Sequence, residues 1–240
     1  MTLRPRFARS LAAFTTLFVT IIVVVAGVPA SHRLPIVERP SRLRSDTMAI
    51  LVTGDGGWRA LDRDLANDLN SHGVSVVGLV APDYFSERRT ANESARALDT
   101  LIRTYVGRWH RPRVILIGYS RGAGVLPFMV SRLPATDRSR ISVVGLLGLD
   151  PDIDFHYSPK VLLWQADDDL FVPVKPELRK IRDTRVLCVA GADDKDAMCR
   201  SLTPSVAETF FVPGGHHFGG NYRIIADRIL KEARIRPTTG

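Results

Sequence analysis

The run Val114-Ile115-Leu116-Ile117-Gly118-Tyr119-Ser120-Arg121-Gly122-Ala123-Gly124 constrains the fold more than any other stretch of the chain. Its first half is apolar and β-branched, the pattern of a strand buried on both faces, and it stops at a glycine. A serine framed by glycines two residues to either side follows, and Val125 to Arg132 has helical spacing. Strand, G-x-S-x-G and helix in that order form the pattern of a nucleophile elbow. The reason is steric. A serine in so sharp a turn projects its hydroxyl above the sheet, and side chains at Gly118 and Gly122 would collide with the neighbouring strand and helix. The N-terminal amides of the following helix point at the space beside that hydroxyl, where an oxyanion would form. The plainer alternative is a tight turn with Ser120 as an N-cap.

The rest of the chain repeats the strand-then-helix alternation. Met48 to Thr53 reads as a strand, and Leu61, Leu65 and Leu69 recur at helical intervals before Gly73, a stop signal. Val74 to Val80 is the next strand and Ala91 to Trp109 a long helix with Ala95, Leu98, Leu101, Ile102 and Tyr105 on one face. Ile141 to Leu149 is another apolar run, Arg185 to Ala190 and Glu208 to Val212 are strands, and Tyr222 to Ala233 is a closing helix. Asp150 to Thr184 is irregular, an excursion off the sheet. Strands apolar throughout, alternating with amphipathic helices, predict a mainly parallel α/β sheet covered by helices on both faces.

A serine hydroxyl is a poor nucleophile until an oriented base accepts its proton. In sheets of this type the acid and the histidine follow the serine in that chain order, on loops after later strands. The first such loop reads Gly191-Ala192-Asp193-Asp194-Lys195-Asp196, and the second Pro213-Gly214-Gly215-His216-His217-Phe218. We read His216 as the base, with His217 as the alternative, because an aromatic two residues beyond the base is usual; Phe218 is expected to pack below the ring. Asp194 is the candidate acid, three after Gly191, with Asp193 as its alternative and Asp196 a third. Asp167-Asp168-Asp169 is read as a solvated turn. Gly54-Asp55-Gly56-Gly57-Trp58 follows the first strand, where a second oxyanion donor belongs, so the amides of Asp55 and Gly56 pair with that of Arg121 as candidates. These glycines match neither phosphate-binding pattern, G-x-x-x-x-G-K or G-x-G-x-x-G, and no cofactor is expected.

The N-terminus differs from this ordinary globular composition. Arg4, Arg6 and Arg9 precede a nearly uncharged run from Leu11 to Val28, and Val28-Pro29-Ala30 offers small residues for a cut before Ser31. Residues 1–30 are therefore read as a cleaved signal peptide or an uncleaved membrane anchor. Residues 31–46 are a linker or edge segment, and 47–240 the folded domain. Either fate of the leader places that domain in the periplasm, soluble or tethered to the inner membrane. The net charge is +8, of which the leader's three arginines supply three, leaving +5 for the rest. That balance suits a membrane surface of anionic headgroups. No basic stripe interleaved with aromatics is present, which argues against nucleic acid. The two cysteines, Cys188 and Cys199, have no zinc-ligand spacing, so no metal is expected. Outside the cytoplasm they can close a short disulfide loop; the alternative is two unrelated thiols.

Together, Gly54-Asp55-Gly56-Gly57-Trp58 with Leu61-Asp62, Gly118-Tyr119-Ser120-Arg121-Gly122-Ala123 with Pro127, and Pro213-Gly214-Gly215-His216-His217-Phe218 with Tyr222 resemble the VirJ/AcvB bacterial virulence family of α/β-hydrolases. The resemblance runs from about Met48 to the closing helix, in the short VirJ-like layout. It implies a periplasmic or membrane-attached serine hydrolase whose substrate is an aminoacylated phospholipid, lysyl-phosphatidylglycerol, cleaved at the lysyl ester. It also implies links to virulence and to type IV secretion components, so a non-catalytic assembly protein on the same scaffold is a second reading, and an esterase for another substrate a third. Two departures stand out. Arg121 occupies a position that is more often apolar in the family, next to the oxyanion donors, where it could alter headgroup preference, and Asp193-Asp194 replaces glutamates that are common there.

Overall fold

The computed structural model describes residues 34–158 and 170–235. The leader read at 1–30 and the acidic run Asp167-Asp168-Asp169 lie outside the described residues. The main sheet is built from β1 (Ile36–Arg39), β2 (Thr47–Val52), β3 (Ser75–Leu79), β4 (Arg113–Tyr119) and β5 (Ile141–Leu147), together with two later strands. Between β5 and those strands, β6 (Asp152–Ile153) and β7 (Val172–Pro173) pair antiparallel as a small separate two-stranded sheet, inside the stretch expected to leave the main sheet. The later strands are β8 (Val186–Gly191) and β9 (Glu208–Val212). The order across the sheet is β1-β3-β2-β4-β5-β8-β9, parallel throughout except for β1, which runs antiparallel to β3.

The helices are α1 (Ala60–Ser71), α2 (Ala81–Tyr84), α3 (Ala91–Trp109), α4 (Arg121–Val130), α5 (Ala135–Arg138), α6 (Lys175–Lys180) and α7 (Tyr222–Glu232). Side chains alternate between the two faces of a strand, and the core divides accordingly. Met48, Ile50 and Val52 of β2 point with Val114 and Leu116 of β4 to the face covered by α3 and α4. Ala49, Leu51, Ile115 and Ile117 point to the opposite face, under α1 and α7. Both clusters are fully buried at these positions, which is why β2 and β4 read as uninterrupted apolar runs. The long helix α3 spans the residues its periodicity predicts and starts at a reciprocal cap, Thr90 with Glu93.

The sheet begins earlier than the domain boundary read from sequence. Ile36–Arg39 lies in the stretch assigned as linker or edge segment, yet it pairs with β3 from Ile36 opposite Leu79 to Arg39 opposite Val76. The compact unit accordingly runs from Leu34. The chain between β1 and β2 is held by Arg111, a buried guanidinium that donates to the carbonyls of Leu43, Thr47 and Gly73. Among the described residues no helix is long and apolar enough to cross a membrane.

Candidate active site

β4 ends at Tyr119 and α4 begins at Arg121, so Ser120 alone makes the turn. It does so at φ 52° and ψ −116°, a conformation that L residues rarely adopt. The two framing glycines make this possible. A Cβ at Gly118 would sit 2.3 Å from the Gly122 carbonyl oxygen, and one at Gly122 would sit 2.0 Å from that of Val52. The strand, the helix and β2 are therefore in backbone contact at the elbow. Ser120 is half-buried and lines a pocket of about 250 Å³ together with Gly54, Asp55, Gly56, His216 and Tyr222.

The acid and histidine loops leave the C-terminal ends of β8 and β9, adjacent parallel strands, and they touch at their glycines. A Cβ at Gly191 would lie 2.1 Å from the Gly215 oxygen and 2.2 Å from that of Gly214. The amides of Ala192 and Asp193 donate across to Val212 and Gly214. This close approach brings Asp194 under His216. Nδ1–H of the imidazole donates to Asp194 Oδ2 at 3.1 Å, which leaves Nε2 without a hydrogen-bond partner among the described residues. The side chains of Asp193 and Asp196 are exposed and make no contact of this kind with any described residue. His217 also lines the pocket, but its Nδ1 is joined to the Tyr119 hydroxyl by a 2.6 Å hydrogen bond. Burial pushes the Tyr119 phenol up, keeping it protonated.

Gly214 and Gly215 bring the histidine loop against the acid loop at Gly191. One local expectation is corrected. Phe218 is fully buried and packs on Tyr119, whose ring stands 5.6 Å from His216; the tyrosine, not Phe218, is the ring beside His216. Cys188 and Cys199 form a disulfide that ties β8 to the turn after the acid loop. The neighbouring Arg200 donates to the Ala192 and Asp194 carbonyls, so the acid loop is clamped from both ends.

The loop after β2 presses on the elbow, since a Cβ at Gly54 would be 3.0 Å from the Tyr119 ring and 3.3 Å from Ser120 Cβ. Among the described residues the backbone amides of Asp55, Gly56 and Arg121 have no acceptor. The Arg121 side chain does not reach into the pocket as a headgroup selector would. It is 6% exposed, pairs with the Asp55 carboxylate through two nitrogens, donates Nη1–H to the Asp154 carbonyl and lies over the Tyr157 ring. One residue thus carries a candidate oxyanion amide and braces the loop that carries the others.

Three more residues belong to the site and were not singled out for it from sequence. Gly148, at φ 59°, lies directly beneath His216: a Cβ there would be 2.9 Å from the imidazole Cε1. Asp150, two residues on, carries a carboxylate within electrostatic range of His216 and Asp194. Asp62, on the first turn of α1, lines the pocket with its carboxylate buried. Asp62 stood within the Leu61-Asp62 motif without an assigned role, and Gly148 and Asp150 carry no local sequence signal, because they face His216 and Asp194 from elsewhere in the chain.

The sequence model of the family described as bacterial virulence protein VirJ matches residues 46–237. No curated protein matches the chain. Among solved structures, MenH from S. aureus is similar in fold at a TM-score of 0.60 and 13% identity, over 83% of this chain and 98% of that one. A lipase-esterase related protein from Clostridium acetobutylicum gives 0.58 and 16%, covering 82% and 98%. Est1E from Butyrivibrio proteoclasticus, solved with ferulic acid, gives 0.56 and 12%, covering 82% and 93%. At such identities the likeness shows the fold alone, which is that of the α/β-hydrolases.

Proposed function

The chain belongs to the VirJ family of bacterial virulence proteins, and from that premise we propose that it is an exported serine esterase in which Ser120 is the nucleophile, His216 the base and Asp194 the residue that orients it. The observation that supports this most is the His216 Nδ1 to Asp194 Oδ2 hydrogen bond of 3.1 Å at the pocket that Ser120 lines. With Nδ1–H given to the carboxylate, Nε2 takes the Ser120 proton as Oγ bonds to the ester carbonyl carbon. The oxyanion is met by the amides of Arg121 and of Asp55 or Gly56, which have no other acceptor among the described residues. Collapse breaks the bond to the alcohol oxygen, which receives the proton from His216, and water then releases the acyl group by the same steps.

The substrate we propose is an aminoacylated phospholipid, lysyl-phosphatidylglycerol, cleaved at its aminoacyl ester on the periplasmic side of the inner membrane. The family resemblance supports this, as does the residual charge of +5, which favours a surface of anionic lipid. Whether the leader is cut or retained, the domain works at that surface, where secretion-system components are its neighbours.

The test is direct. In the purified protein Ser120→Ala is expected to abolish release of lysine from lysyl-phosphatidylglycerol vesicles while leaving the circular dichroism unchanged, and a fluorophosphonate is expected to label Ser120 in the native chain. Undiminished turnover by Ser120→Ala would overturn the serine mechanism. Restoration of a deletion strain by that variant would favour an assembly role, and turnover of simple esters with none of the lipid would favour another substrate.

A further inference from the structure

The described residues hold five buried carboxylates, Asp62, Asp137, Asp154, Glu177 and Glu232. Four of them are ion-paired: Asp137 with Arg103 and Arg140, Asp154 with Arg88, Glu177 with Arg132 and Lys180, and Glu232 with Arg185 and Arg228. Asp62 is the exception. It is 1% exposed, no basic side chain lies within salt-bridge distance, and its Oδ1 has no hydrogen-bond partner among the described residues. Oδ2 is satisfied by the Arg59 amide, the reciprocal half of the α1 cap. A buried ionised oxygen left without a donor is costly, and Asp62 alone bears that cost among the buried acids of the described residues.

Asp62 lines the same pocket as Ser120 and His216. Ser120 and Asp62 both line this one pocket of about 250 Å³, so a group bonded at Ser120 and a group held at Asp62 would share it. We propose that Asp62 Oδ1 is the recognition site for an ammonium group on the acyl part of the substrate, which makes this chain selective for aminoacyl over plain acyl esters. This rests on the reading of Ser120 as the nucleophile.

The surroundings fit a cation. Around the same pocket stand Tyr119 and Tyr222 and the imidazoles of His216 and His217. The remaining charged residues are already committed or set outward. Asp55 is held by Arg121, Arg59 is exposed and donates through Nε to the Gly56 carbonyl, and Arg63 is an exposed neighbour on α1. Burial pushes the Asp62 carboxyl up to about 6, against the pull of the Arg59 and Asp62 amides and of Arg63. The group is therefore still ionised at neutral pH, and an incoming ammonium would lower its proton affinity again.

The experiment compares kcat/KM for ethyl esters of alanine and 6-aminohexanoate with those of propionate and hexanoate, using the full chain and Asp62→Asn. Asparagine keeps an oxygen for the Arg59 amide, so the cap survives, and circular dichroism checks the fold. The native protein is expected to prefer at least one ammonium-bearing ester by ten-fold or more, and Asp62→Asn to bring that ratio close to one. A merely structural role for Asp62 lowers all four rates together and leaves the ratio alone. A native ratio near one, or a ratio unchanged in the variant, would overturn the proposal. Calorimetric binding of alaninamide and 6-aminohexanamide, against propionamide and hexanamide, to Ser120→Ala separates the two readings. Ammonium-selective binding lost in the double variant sustains the subsite even if no ester is hydrolysed, and equal binding of charged and neutral amides removes it.

Discussion

Gly148 shows how much of the site hangs on residues that touch the reacting groups only from behind. Its φ of 59° and the 2.9 Å from a built Cβ to His216 Cε1 mean that any side chain there displaces the imidazole from its place over Asp194. Gly148→Ala is expected to lower kcat on any ester the native chain hydrolyses by about a hundred-fold, as misplacement of a base by an ångström does. Circular dichroism should be unchanged; an unaltered kcat would show that the imidazole does not depend on this support. Ser120, His216 and Asp194 could be picked out in sequence as candidates because each sits in a short loop pattern after a strand, and the structure brings Ser120 and His216 to one pocket, with His216 hydrogen-bonded to Asp194. Gly148 could not, and Asp62 stood in a motif without an assigned role, because what matters at both is what faces them from other elements. Arg121 was legible as a backbone amide and misread as a side chain. Its guanidinium turns inward because Asp55 and the Asp154 carbonyl offer it two acceptors that solvent would otherwise have to replace.

At the level of elements, the acid loop is the part held by the most specific hardware. The Cys188–Cys199 bridge spans 11 residues around Asp193 to Asp196, and Arg200 holds the loop's carbonyls. Closing a loop of that length restricts the unfolded chain by about 3 kcal/mol on the chain-entropy account. Reduction, or the double change Cys188→Ala with Cys199→Ala, is therefore expected to lower the unfolding free energy by about 2–3 kcal/mol in urea titrations. It should also slow ester turnover more than Ser120-independent properties such as vesicle binding. A thiol titration that finds two reactive groups in the untreated protein would remove the premise. Of the sheet, the parallel strands were readable from their uninterrupted apolar runs, whereas β1 was not. Four residues between Pro35 and Pro40 carry no usable period, and β1 exists as a strand only because β3 offers it a free edge.

For the whole molecule, the buried Asp62 carboxylate, with no partner at Oδ1 among the described residues, implies a cost in stability with a definite sign. Its carboxyl titrates near 6 in the fold, against 3.8 for the ordinary group, so the native state holds that proton more tightly than the unfolded chain does. Stability from this source is fully present below about pH 4 and is lost as pH rises through 6, by about 3 kcal/mol. The Glu177 and Glu232 carboxyls, held below their ordinary range by their basic partners despite burial, act with the opposite sign and lose stability on acidification. Asp62→Asn is expected to be about as stable as the native chain at pH 4 and about 2–3 kcal/mol more stable at pH 8 in urea titrations. A difference that did not grow with pH would mean that Asp62 is ionised without penalty. The α/β alternation, the elbow at Ser120 and the order of the loops follow from the sequence alone, because strand burial, helix periodicity and tight turns are set by neighbours along the chain. Which acid meets which histidine, where Arg121 points, and that Asp62 is the one buried carboxylate without a cation among the described residues were decided only in the tertiary structure. Those are facts about distances between residues far apart in sequence, and they exist only once the sheet has brought its loops to one end.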